Sequence, residues 1–110
     1  MINYQNGLIY YITKAGSNNL YIGSTTNFNN RKNVHKHRCN NKNSEYYDDN
    51  LYKTIRQNGG WDAFIFDVYQ YYPCDSRDEL QSHERYLIKN LKANLNSSLP
   101  STSTKKYKQT

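Results

Sequence analysis

The stretch "LIYYITKAGSNNLYIG", residues 8–23, decides the architecture. Residues 8–13, "LIYYIT", are β-branched and aromatic, the side chains that fit a pleated strand. "KAGSNN" follows and gathers Gly16, Ser17, Asn18 and Asn19, all of which favour turns. Residues 20–23, "LYIG", are strand-like again. So short a link between two strands predicts an antiparallel hairpin.

Outward from the hairpin, Asn27 is placed to cap a helix over residues 27–38, its side chain accepting an otherwise unpaired backbone N–H. Three- and four-residue spacing puts Phe28, Arg31, His35 and Arg38 on one face of that helix. Residues 39–50, "CNNKNSEYYDDN", read as a polar loop. "LYKTIRQN", 51–58, is a short helix closed by Gly59 and Gly60. A third strand covers 63–71, "AFIFDVYQY", with Ala63, Ile65 and Asp67 on one side and Phe64, Phe66 and Val68 on the other. After Pro73, Ser76 with Glu79 three residues on makes a capping-box pattern and opens a helix over 77–92.

A chain of 110 residues has room for one small domain and one modest core. Its net charge of +6 favours nucleic acid or another polyanion as partner; the plainer alternative is a charge that only maintains solubility. With no long apolar run, neither a transmembrane span nor a signal peptide is expected. Two cysteines, Cys39 and Cys74, form no disulfide framework, so a reducing, intracellular setting is the expectation. The polar tail at residues 98–110 is expected to be mobile, with Lys105, Lys106 and Lys108 adding salt-sensitive phosphate contacts.

The most informative residue is Glu84. Leu80, Leu87, Ile88 and Leu91 form the apolar stripe of the last helix, and Glu84 falls within it. A carboxylate facing a core is costly unless it is paired, protonated or bound to a cation. A buried ion pair with Arg31 or Arg56 is one solution. A functional site is the other. If Glu84 meets Tyr10 and Tyr21 of the hairpin and Arg31 and His35 of the basic helix, the set holds what phosphodiester hydrolysis needs. One hard carboxylate suits Mg²⁺, cations suit a phosphate, and phenols lie within reach of water.

Those residues resemble the GIY-YIG nuclease family. Its first motif corresponds to "LIY", residues 8–10, and its second to "YIG", residues 21–23. Leu8 stands where the first motif has glycine, and Gly7 lies one place early. The resemblance continues through "STTNFNNRKNVHKH", "NGGWDAFIFDV" and "SHERYLIKNLKANLN", covering about residues 7–97. It implies an α+β domain over residues 1–97, a three-stranded antiparallel sheet flanked by helices, and divalent-metal-dependent cleavage of DNA with Mg²⁺ or Mn²⁺. By position it implies Tyr10 as general base or water-positioning group and Tyr21 as a group orienting water or phosphate. It implies Arg31 as the phosphate clamp, Glu84 as the metal ligand, and His35 at a variable catalytic position. Gly23 is expected to allow close approach of the backbone, and Asn96, with Asn94 as competitor, to supply a late polar group. The expected DNA contacts are Gly23, Arg31, Lys32, Lys36, Arg38 and Asn96. Within the family the chain resembles small viral or phage-type homing enzymes. Two rivals share the resemblance: a weakly catalytic DNA-binding module, and a catalytic subunit that relies on a homodimer or a targeting protein.

Each residue also has a plainer explanation. Tyrosine favours strands, and the chain has twelve of them. Arg31 and His35 would also suit a solvated basic face. A zinc site at His35, His37 and Cys39 is disfavoured, because His37 points away from the other two on a helix and no fourth ligand is apparent.

Overall fold

A computed structural model describes residues 2–96, so the expected tail at 98–110 lies outside the described residues. Strands β1 (Leu8–Thr13), β2 (Leu20–Thr25) and β3 (Ile65–Tyr71) form one antiparallel sheet in the order β2-β1-β3. Helices α1 (Phe28–Asn40) and α2 (Asn50–Gln57) lie between β2 and β3 in the chain, and α3 (Arg77–Asn90) follows β3. This is the α+β fold that the hairpin and the later segments predict.

The central position of β1 explains its nearly continuous apolar sequence. Leu8, Tyr10 and Ile12 pack with Cys39, Leu51, Tyr52 and Ile55 on the face covered by α1 and α2. Ile9 packs with Ile22, Leu80, Leu87 and Ile88 on the face covered by α3. A strand buried on both faces cannot alternate apolar with polar. On β3, by contrast, Phe66 and Val68 turn inward while Ile65 and Asp67 stay exposed.

Local chemistry sets most boundaries. Gly16 makes the hairpin turn at φ +80°, a conformation that costs glycine nothing. The Asn27 side chain accepts from Asn30 N at 3.1 Å and starts α1. Ser76 Oγ accepts from Glu79 N at 3.2 Å, and Glu79 Oε1 reaches back to Asp75 N at 2.8 Å. The first motif's departure is absorbed without strain: Leu8 enters the core, and Gly7 is the confined position, where a Cβ would lie 2.7 Å from Tyr72 O.

Four boundaries differ from expectation by two residues, and α2 is displaced by one, spanning Asn50–Gln57 where 51–58 was expected. β2 extends through Ser24 and Thr25, because these pair with Ile9 and Leu8 of β1. α1 runs on to Asn40, which buries Cys39 completely. β3 starts at Ile65 because Trp61–Ala63 close into a 3₁₀ turn. α3 stops at Asn90, and Lys92 takes φ +55° just beyond it.

Candidate active site

The site forms where the β1–β2 hairpin meets α1 on one side and α3 on the other. Tyr10 and Tyr21 sit on neighbouring strands with ring centroids 6.3 Å apart. His35 of α1 meets both edge-on, at 5.5 Å from each. Phe66 of β3 stacks on Tyr10 at 4.8 Å and fixes that ring from the other side. The Tyr10 hydroxyl and His35 Nε2 are 2.7 Å apart. Gly23, opposite Tyr10 in the β1–β2 register, makes this possible, because a Cβ there would overlap the Tyr10 Cζ and hydroxyl.

Glu84 approaches from α3. The Ser24 hydroxyl, carried there by the extra length of β2, donates to Glu84 Oε1. The backbone N–H of Ser24 also bears on the carboxylate, whereas Arg56 points elsewhere, donating at 2.7 Å to both Cys39 O and Tyr47 O. The buried Nε of Arg31 has no hydrogen-bond partner among the described residues. Arg31 nonetheless exerts its charge on Glu84, Tyr10, Tyr21 and His35 alike. It also lines a cleft of about 280 Å³ with Ser24, Thr25, Thr26, Arg77 and Gln81.

Burial dominates the electrostatics. It pushes Tyr10 well above its usual range, with Tyr21 adding to the rise and Arg31 opposing it. Burial and then Glu84 push Tyr21 up to about 12. Burial, then Arg31 and Arg38, push His35 down to about 3, so its imidazole is neutral at physiological pH. Burial raises Glu84, against the Ser24 hydrogen bond and the charges of Arg85 and Arg31. A carboxylate whose charge burial still penalises, despite two nearby arginines, suits an added positive ion.

The fold therefore brings Tyr10, Tyr21, Arg31, His35 and Glu84 together. The rest of the expected set is placed around that group in other ways. Gly23 is buried beneath Tyr10 and makes room for it rather than presenting a surface. Asn96 is 8 % exposed; its amide clips the outer edge of β2, accepting from Ile22 N at 2.8 Å and donating to Ile22 O at 2.7 Å. Asn94 accepts from Leu20 N at 2.8 Å but donates to the side chain of Asn19, at 3.0 Å to its Oδ1. Arg38 lies over the Tyr46 ring at 3.9 Å, which anchors the loop after α1. Lys32 and Lys36 are exposed on α1. His37 is exposed and bonds Asn41, and no cluster of three or more metal-ligating side chains occurs among the described residues. Sequence reasoning passed over Ser24, Tyr52 and Arg77. The hydroxyl next to "YIG" was a usable signal for Ser24; Tyr52 and Arg77 carried none.

Among the described residues no helix is long and apolar enough to cross a membrane, and Cys39 and Cys74 are both free. The family model for the GIY-YIG catalytic domain matches residues 6–96. Comparison with curated proteins and with solved structures finds no match.

Proposed function

The chain belongs to the GIY-YIG nuclease family, and from that premise we propose that it is a divalent-metal-dependent DNA endonuclease that hydrolyses phosphodiester bonds. The observation that carries this reading is the pairing of Glu84 and Arg31. They lie within electrostatic reach, yet Glu84 is bound by Ser24, and the buried Nε of Arg31 has no partner among the described residues. A structural ion pair would join the two, whereas a site built for a cation and a phosphate keeps them apart.

Glu84 would hold Mg²⁺ or Mn²⁺ through its carboxylate, which Ser24 orients. A single carboxylate fits a hard cation that keeps most of its water, and does not fit a closed zinc site. When bound, such an ion lowers the pKa of water and offsets charge on the phosphate oxygens. Arg31 clamps the non-bridging oxygens of the scissile phosphate, its donors offsetting charge that grows in the transition state. Arg77, on the same cleft, adds a second cation for the DNA backbone. Tyr21 and Tyr10 orient the attacking water. Neither is ionised at neutral pH, so each acts as a hydrogen-bonding group until charge beside it draws its proton away. Lys32 and Lys36 supply salt-sensitive contacts on the exposed face of α1.

The test is incubation of supercoiled plasmid with the protein in Mg²⁺, Mn²⁺ or EDTA. Metal-dependent conversion to nicked or linear DNA is the expected result. Nicked product indicates one active site per event, and linear product indicates a homodimer or a targeting partner that engages two. DNA binding without cleavage in either metal would reject the reading in favour of a binding module.

A further inference from the structure

The contact between Tyr10 and His35 does not end at the imidazole. His35 Nδ1 lies 2.7 Å from the hydroxyl of Tyr52 on α2, and Tyr10 and Tyr52 are each only 2 % exposed. A neutral imidazole has one N–H and one bare nitrogen, so hydrogen bonds can pass through His35 in only two directions.

In the first direction, Tyr10 donates to Nε2 and Nδ1–H donates to Tyr52. The Tyr52 proton then needs another acceptor; among the described residues its hydroxyl finds none besides Nδ1 within hydrogen-bond distance, and the Asp49 carboxylate reaches it only through its charge. The group that faces the Tyr52 oxygen from α1 is the Arg38 guanidinium, which has only donors. In the second direction Arg38 donates to the Tyr52 oxygen, and the Tyr52 O–H donates to Nδ1. Nε2–H then donates to the Tyr10 oxygen, and the Tyr10 O–H is free to turn toward Tyr21. The second direction satisfies every donor in turn, whereas the first leaves a buried hydroxyl unpaired, the costlier arrangement. Stacking on Tyr46 at 3.9 Å holds Arg38 at the head of the chain.

We propose that Arg38 and Tyr52 are positioning residues that fix His35 as its Nε2–H tautomer and so aim the Tyr10 hydroxyl at Tyr21. His35 then serves as a donor to Tyr10 and does not take its proton. A bond from Nε2–H favours the ionised form of Tyr10, partly offsetting the effect of burial. Tyr21, beside Glu84, ends the chain and meets the water. The catalytic consequence rests on the proposed nuclease activity; the tautomer does not.

The test is long-range ¹H–¹⁵N NMR of the ¹⁵N-labelled protein at neutral pH, with His35 assigned by the loss of its signals in His35→Gln. The expected spectrum has a protonated, pyrrole-like Nε2 and a bare, pyridine-like Nδ1. A protonated Nδ1 overturns the proposal, whether or not the protein cuts DNA. In the cleavage assay, Tyr52→Phe is expected to lower kcat about 10-fold while KM stays within about twofold, the size of loss seen when an orienting partner is removed. An unchanged kcat in a folded Tyr52→Phe protein would overturn the positioning role and leave the nuclease reading intact. Failure of the wild type to cut would reject that reading while the NMR result still decides the tautomer.

Discussion

Acidification acts on this domain through His35. Burial holds its pKa near 3 in the folded state, against about 6.5 in an unfolded chain. Between these values the unfolded chain binds more protons than the native one, so stability rises with pH across the window. The His35 contribution is complete above about pH 6.5 and is lost as pH falls toward about 3. Its ceiling is about 5 kcal/mol, and about 2 kcal/mol should disappear between pH 7 and pH 5. That is a large share of the stability of a domain this size. Glu84 and Asp49 act in the opposite sense: burial raises both, so their contribution favours the native state in acid and fades as pH climbs past their folded pKa values. The comparison is therefore made in a Glu84→Gln background, with and without His35→Gln. Urea unfolding at pH 7, 6 and 5 is followed by the fluorescence of the single tryptophan, Trp61, which packs near Phe66 at 5.9 Å. The His35→Gln protein should be less stable at pH 7, having lost its bonds to Tyr10 and Tyr52, yet should lose about 2 kcal/mol less on going to pH 5. Parallel stability–pH curves for the two proteins would refute the claim that His35 is buried and neutral.

Gly23→Ala should destabilise the domain by about 1–3 kcal/mol in urea unfolding and depress cleavage, because the new methyl overlaps the Tyr10 phenol. An unchanged midpoint would show that Tyr10 lies elsewhere. Asn96→Ala strips partners from the buried N–H and C=O of Ile22 and should cost about 2–4 kcal/mol, whereas Asn94→Ala, on the exposed rim, should cost about 1 kcal/mol or less. The reverse order would reject the edge-clip description. Ser24→Ala frees the bonded oxygen of Glu84 and should weaken metal affinity by about 10- to 100-fold, as measured by Mn²⁺ titration. Undiminished affinity would mean that Ser24 does not orient the carboxylate.

What the sequence made legible was local. The bounds of β1, the caps at Asn27 and Ser76, and the inward side of β3 follow from residue types a few positions apart. Glu84 stood out because helical periodicity alone puts a carboxylate in an apolar stripe. The remaining features depend on contacts between distant segments. Ser24 reaches Glu84 only because β2 keeps pairing with β1 beyond the glycine, sixty residues away in the chain. Gly23 reads as a point of close backbone approach, and only the register shows that Tyr10 is the group that approaches it. Asn96 reads as a site residue until it is seen to clip β2 across 74 positions. Arg38 shares a helical face with Arg31 and His35, yet Tyr46 turns it toward the loop and Tyr52.

The most direct test of the account is single-turnover cleavage of DNA in Mg²⁺ by wild type and Glu84→Gln, with DNA affinity measured in parallel. The substitution keeps the shape of the side chain and removes the charge that would hold the ion. Cleavage should fall by at least about 10³-fold, with DNA affinity unchanged within a few-fold. Cleavage by Glu84→Gln at a rate near that of wild type would contradict the account.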